Sequence, residues 1–382
     1  MRVINKIGVL IFVVLFLLIQ QPLVYALSTR KGIVGEKVIK DPSARYIHYH
    51  RTLPSGAGVE LHVVKIRLDD KSLEIRPALE GGKIKDSAIL ADIAKAEGAI
   101  AAINGGFFFE QGGRKLPVGE LIINGGLFSH SDVARGCFIV DGEGEVIFDV
   151  LKVAAFLNPV DYYEPIRIHE MNVPPGGMRD AVYIFNRYWG TVTPPGEADE
   201  ITVENGAVTG KSVSGGTSIP EDGYVISLRG GWRPDAKRFT VGLTVGIIYD
   251  FRGEKGTIRH MLTGGPMFVK DGWWRDYKDE YRFSSNVTAP ADRSCMCRTW
   301  NEEILLVCTR GARLSYGQLA DLLIDLNVRE AVGLDGGGSS GMWVAGVDVP
   351  APSRAVPNAV VVVAARGDGA EGNISSGGLW GK

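Results

Sequence analysis

The segment Asp335-Gly336-Gly337-Gly338-Ser339-Ser340 carries the strongest chemical signal in this sequence. Three consecutive glycines let the backbone approach a guest closely and turn several N–H groups toward one point, which suits a phosphate or a developing oxyanion. Ser339 and Ser340 add hydroxyl donors. Asp335 supplies a carboxylate able to act as nucleophile or as base on water. The overlapping run Gly337-Gly338-Ser339-Ser340-Gly341 fits the G-x-S-x-G pattern of serine hydrolases, but that elbow needs a helix after the serine. Here the apolar Met342–Ala345 reads as a strand, and all six histidines (His48, His50, His62, His130, His169, His260) precede Ser339, against the triad order of that fold. No Gly-Lys-Ser/Thr follows, so the loop is not a Walker loop either.

Two further glycine loops follow short apolar runs. Asn104-Gly105-Gly106-Phe107-Phe108 follows Ala99–Ile103, and an Asn amide there can orient a sugar hydroxyl or a carboxylate. Gly264-Gly265-Pro266-Met267 enters a strand that ends at Lys270-Asp271-Gly272. Arg293, just after Pro290-Ala291-Asp292, offers a guanidinium that can grip phosphate through two parallel bonds. Glu120 stands in reserve as an acid/base, with an exposed edge position as the alternative. His48 and His50 share one strand face and read as structural. No cluster of ligands has convincing metal spacing, and the sequence leaves a divalent metal open.

The elements around these loops read mainly as strands. Val59–Leu68 alternates, Leu73–Arg76 follows a short turn, and Asn124-Gly125 and Asp141–Gly144 carry turn chemistry. Ile89, Ile93 and Ala96 recur at helical spacing before Gly98, and Ser315-x-x-Gln318 forms a capping box ahead of Leu319, Leu322, Leu323 and Leu326. Residues 156–260, rich in Pro and Gly, read as a β-rich insert. The expected fold is therefore α+β: a mixed β-sheet core with a few packed helices, spanning about 45–366, with 367–382 as a flexible tail. If Asn301-Glu302 is a two-residue turn, Cys295 stands opposite Cys308, either as a disulfide or as two buried thiols.

Composition narrows the class. Hydrophobic residues make up 45% and charged residues 23%, a mix that folds and stays soluble. Arg2 and Lys6 precede the 13-residue apolar run Ile7–Ile19, and Val24-Tyr25-Ala26 offers a cleavage site, so residues 1–26 read as a signal peptide and the mature chain as exported. Without them the chain holds 40 basic against 44 acidic side chains and no basic block, which excludes a nucleic-acid footprint. The oligomeric state is not legible.

Asn104-Gly-Gly-Phe-Phe, Leu262-Thr-Gly-Gly-Pro-Met with its Asp271-Gly272 turn, Arg293-Ser, and Leu334-Asp-Gly-Gly-Gly-Ser-Ser occur in an order that resembles the phosphodiester glycosidase family. The resemblance covers roughly residues 59–365. It implies hydrolysis of a sugar-1-phosphodiester, of the N-acetylglucosamine-1-phosphate kind, between sugar and phosphate, with a glycan or sugar-phosphate of the cell surface or medium as substrate; a non-catalytic cell-surface glycan-binding module and a metal-dependent phosphodiesterase are the alternatives. On that reading Asp335, Arg293 and Asn104 carry the chemistry. Gly105, Gly106, Gly264, Gly265, Gly336, Gly337, Gly338, Ser339 and Ser340 line the substrate site. The chain departs from the family where Arg293-Ser-Cys-Met-Cys replaces Arg-Thr-Ala-Ile-Gly and where Arg310-Gly311-Ala312 replaces an Asp-Gly-Arg turn.

Overall fold

Side-chain alternation with a period of two turns most of this chain into strands. The structure, a computed structural model, describes residues 32–40, 43–84, 87–111, 113–131, 133–159, 164–176, 180–250, 258–280 and 283–365. The segments read as a signal peptide (1–26) and a flexible tail (367–382) lie outside those residues. Strand Gly58–Arg67 shows how alternation builds layers. Val59, Leu61 and Val63 join one apolar cluster, while Val64 and Ile66 join another on the opposite face.

Two large sheets dominate the described residues. One has eight antiparallel strands in the order Ile33–Lys40, Ala44–Thr52, Gly58–Arg67, Glu303–Gly311, Ser294–Thr299, Val328–Gly333, Met267–Lys270 and Trp273–Trp274. The other has ten, in the order Val146–Leu151, Arg135–Asp141, Ile258–Thr263, Leu121–Ile123, Gly126–Ser131, Glu170–Met171, Ala181–Asn186, Gly223–Arg229, Glu197–Glu204 and Ala207–Ser214. A five-stranded sheet runs Val347–Asp348, Met342–Val344, Ala101–Asn104, Asn358–Ala364 and Leu73–Leu79. All three feed one buried cluster: Val64 and Leu306 from the first, Phe138 and Tyr183 from the second, Ile103 and Val360 from the third. Burying each large apolar side chain of this kind contributes roughly 1.5–3 kcal/mol, so the junction of the three sheets is strongly stabilised.

The α+β expectation is corrected here. The chain is 53% strand and 11% helix, a largely β protein. Both helices legible in the sequence form, but each is short and lies on the outer face of a sheet. Tyr316–Ile324, with its Ser315/Gln318 capping box, buries Leu319, Ala320 and Leu323 against the eight-stranded sheet. Leu90–Ala96 buries Leu90, Ile93 and Ala94 on the five-stranded sheet. Strand-to-strand turns such as Asn124-Gly125, with φ 51° and 74°, replace the helical connections that a layered α+β fold would need.

The cysteine pairing is also corrected. The connection after Ser294–Thr299 is longer than two residues, so Cys308 faces Ser294 and Cys295 faces Val307. Cys137, Cys295, Cys297 and Cys308 are free, buried thiols.

Candidate functional site

Three crossings between sheets meet at one place. Thr263–Pro266 carries the chain from the ten-stranded sheet into the eight-stranded one. Leu334–Gly341 carries it from the eight-stranded to the five-stranded sheet, and Asn104–Phe107 leaves the five-stranded sheet for the small hairpin Phe108–Gln111 and Arg114–Pro117. The crossing backbones lie closer than a Cβ allows. A Cβ on Gly105 would sit 1.8 Å from Asn358 Oδ1, and one on Gly264 would sit 2.4 Å from the Gly333 carbonyl. Gly106 presses in the same way on the Thr263 carbonyl, Gly265 on Phe283 and Glu280, Gly336 on the Asp292 carbonyl and Gly338 on Ser353. Close approach by itself accounts for glycine at 105, 106, 264 and 265, while Gly336 and Gly338 meet only a tight carbonyl and a side-chain hydroxyl. Gly337 has open space beside it, and Asp335–Gly338 is the half-buried stretch of the loop that solvent reaches. Gly105→Ala is expected to cost about 2 kcal/mol or more through overpacking, read as a lowered midpoint in urea unfolding.

Asn104 is fully buried, and its amide is spent on the protein. Its Nδ2 donates to the Asp335 carbonyl at 2.7 Å and to the Gly105 carbonyl at 3.3 Å, while its Oδ1 accepts from Gly341 N at 3.1 Å. It therefore fastens the two glycine loops to each other and positions Asp335. Of the two partners read for this amide, a sugar or Asp335, the geometry places it at Asp335, on the backbone carbonyl. The N–H groups of the Asp335 loop are largely spent as well. Asp335 N donates to Gly105 O, Gly337 N to Asp292 O, Ser339 N to Gly336 O and Ser340 N to Gly337 O, so the open anion nest read from the glycines does not form.

Asp335 itself stands ready. Its carboxylate accepts from Arg354 Nη2 at 2.9 Å and from the Ser339 hydroxyl, and Arg354 Nε donates to Ser339 Oγ at 2.7 Å. Burial raises its pKa above the ordinary aspartate value, and the contacts with Ser339 and Arg354 oppose that rise without cancelling it. Arg354 packs its guanidinium over the Phe108 ring at 4.9 Å, with its side chain 45% exposed. Ser339 is buried as the strut between the two charges. Ser340 is buried too, its carbonyl held by Arg310 and its hydroxyl without a partner among the described residues.

Arg293 lies beside the loop, its Nη1 3.6 Å from where a Cβ on Gly336 would stand, but its guanidinium is mostly spent on backbone carbonyls. It is 2% exposed, stacks on Tyr316 at 4.1 Å, and donates to the carbonyls of Leu314, Val287, Thr288 and Ala289. Four of its five N–H groups are consumed in tying down residues 287–289 and 314. The phosphate-gripping role read for it is corrected on that geometry, and Arg354 is the cation at the carboxylate. Arg310 likewise ties loops together, bonding Asp292 at 2.5 Å and the carbonyls of Ser340 at 2.9 Å and Ala351 at 2.6 Å.

Glu120 is buried, not on an exposed edge. Its oxygens accept from Thr263 Oγ1 at 2.9 Å and meet His130 Nδ1 at 3.1 Å, directly behind the Thr263 crossing. His48 and His50 do have a carboxylate beside them: Glu60, on the neighbouring strand, lies 2.6 Å from each. Among the described residues no group of three or more His, Cys, Asp or Glu side chains is arranged to hold a metal ion. Sequence reasoning missed Arg354 and Asn358. Arg354 sits in the irregular Pro350–Val356 stretch with no periodic signal. Asn358, whose Oδ1 accepts from Gly106 N at 2.9 Å, had one usable cue in its place just ahead of the apolar run Ala359–Ala365.

The segment that carries Asp335 and Arg354 is also the one with a recognisable pattern. Residues 198–363 match the phosphodiester glycosidase family. The match takes in the Thr263 and Asp335 crossings, and it extends into the stretch read as a β-rich insert. No curated protein matches the chain. Among solved structures, a hypothetical protein from Synechocystis superposes with a TM-score of 0.74 at 24% identity, over 84% of this chain and 62% of that one. This chain thus spans under two thirds of that relative's length. A Burkholderia pseudomallei protein named as a putative exported protein gives a TM-score of 0.66 at 18% identity, over 81% and 74% of the two chains. The catalytic domain of zebrafish N-acetylglucosamine-1-phosphodiester alpha-N-acetylglucosaminidase, auto-inhibited by its pro-peptide, gives 0.49 at 15% identity, over 86% and 87%. At these identities the first two likenesses speak for the fold alone, while the phosphodiester glycosidase segment speaks for a hydrolase.

Proposed function

We propose that this protein is an exported hydrolase that cleaves a sugar-1-phosphodiester, of the N-acetylglucosamine-1-phosphate type, between the sugar and the phosphate. The observation that carries the reading is the desolvated Asp335 carboxylate, held by Ser339 and Arg354 on the solvent-reached part of the loop where three sheets cross. Ordinary glycosidases need a second carboxyl group to protonate a poor leaving group. A phosphate monoester leaves readily once its charge is met, so a cation takes the place of that acid. Arg354 is exposed enough to meet a phosphate and lies against the carboxylate that attacks or activates water.

The reaction breaks the bond between the anomeric carbon and its oxygen. The electron pair departs with the phosphate monoester, and the oxygen of water ends on the sugar. Hydrolysis of an N-acetylglucosamine-1-phosphate diester in oxygen-18 water tests this. Label on the sugar C1 hydroxyl supports the reading, whereas label on phosphate means phosphorus–oxygen cleavage and a phosphodiesterase. Export is supported by the basic and apolar pattern of residues 1–26 and is tested by N-terminal sequencing of the secreted protein, with Leu27 expected first.

A further inference from the structure

Among the described residues three tryptophans gather on the surface. Trp273 is 77% exposed, Trp300 51% and Trp274 45%. Trp273 and Trp274 form the outermost strand of the eight-stranded sheet, and Trp300 lies in a nearby hairpin turn with its indole against Gly272. From Trp274 a line of ring contacts runs inward. Trp274 meets Tyr277 at 5.9 Å, Tyr277 meets Phe283 at 6.0 Å, and Phe283 meets Phe107 at 6.1 Å. Phe107 directly follows Gly106 at the crossing beside Asp335. The exposed tryptophans thus connect, through the part-buried Tyr277 and Phe283, to the buried Phe107 at the candidate site.

This line of rings is not simply apolar. Arg275 pairs with Asp279 at 2.6 Å, Lys278 with Asp276 at 2.6 Å, and Arg329 with Asp271 at 3.7 Å along its length. An apolar protein face or a lipid tail would strip water from these charges without replacing it. A chain of pyranose rings with equatorial substituents suits both features. Its flat C–H faces stack on the rings, and its hydroxyls reach the flanking charges.

We propose that Trp300, Trp273, Trp274, Tyr277 and Phe283 form a docking track for a polymeric glycan of equatorially substituted sugars, which brings a sugar-phosphodiester borne on that polymer to Asp335. The proposal rests on the sugar-phosphodiester reading of the Asp335 site, but its binding test does not need turnover. The full chain carrying Asp335→Asn is run in affinity gels containing glycol chitin and titrated with chitohexaose, with and without Trp273→Ala and Trp300→Ala. Removing both rings is expected to weaken binding on the order of tenfold to a hundredfold. In the otherwise native enzyme, the same two substitutions leave turnover of a small soluble sugar-1-phosphodiester unchanged. Both side chains are exposed, so the fold survives their loss, and circular dichroism verifies it. Absence of retardation by the glycan, equal binding by the tryptophan variants, or a preference for phosphatidylcholine/phosphatidylglycerol vesicles over the glycan overturns the track. Glycan binding without any hydrolysis by the native enzyme sinks the hydrolase reading and leaves the track standing.

Discussion

Asp335→Asn is expected to reduce kcat on a sugar-1-phosphodiester by at least ~10²–10⁴-fold, the usual consequence of losing a positioned acid or base. The amide keeps the shape of the carboxylate, and the Asn104 bond to the residue 335 carbonyl involves backbone, so the loop should stay in place. Stability should not fall. Burial raises the Asp335 pKa in the folded state above its unfolded value, so folding disfavours the ionised form. That cost is fully present above the folded pKa and disappears as pH falls below the unfolded one. At neutral pH the amide removes it, and the urea midpoint of the variant should match or exceed that of the native protein. Binding of a sugar phosphate should persist, because the substitution removes a negative charge near the phosphate. A folded variant that turns over at the native rate would remove Asp335 from the chemistry, and one that unfolds would refute the stability argument.

Much of the scaffold for this carboxylate is legible in local sequence. The alternation in Gly58–Arg67, the Asn124-Gly125 turn and the Ser315/Gln318 box are short-range signals, and each forms as read. Fold class is less legible, because the strands vastly outweigh two short helices that periodicity reveals more clearly than the strands around them. Pairing across strands is less legible still. One extra residue in the connection after Ser294–Thr299 moves Cys295 away from Cys308, and composition carries no trace of that slip. The meeting of Asn104 with Asp335 spans 231 residues and follows from sheet order alone. The glycines signal loops correctly but not their reason. Gly105 and Gly264 exist because backbones cross there, a contact that only the assembled sheets create.

The two arginines illustrate the same limit and permit the sharpest remaining test. Arg293 and Arg354 are alike as residue types, so sequence spacing favours the one beside a motif. In the fold they have opposite surroundings. Arg293 is sealed in, with backbone carbonyls around its guanidinium and Tyr316 beneath it, and its loss leaves the buried Leu314 carbonyl and the part-buried Val287 bond without their donor and opens a cavity over Tyr316. Arg293→Met is therefore expected to destabilise the protein by about 3 kcal/mol or more. Activity should fall only as far as the folded fraction does, with KM of the folded enzyme near native. Arg354 is 45% exposed, and its contacts are with Asp335, Ser339 and the Phe108 ring. Arg354→Gln should change the urea midpoint little, since a partly exposed ion pair contributes about 1 kcal/mol at most. Its kinetic effect should be large: KM rises because phosphate loses its cation, and kcat falls because leaving-group charge is no longer met, by the ~10²–10³-fold seen when one such electrostatic contact is removed. The pH profile gives an independent reading. Arg354 lowers the Asp335 pKa, so its removal leaves burial opposed mainly by the Ser339 bond and moves the acid limb of kcat/KM to higher pH. If Arg293→Met alters KM in a stable protein while Arg354→Gln leaves kcat, KM and the acid limb untouched, the phosphate-binding cation is Arg293 and the assignment to Arg354 fails.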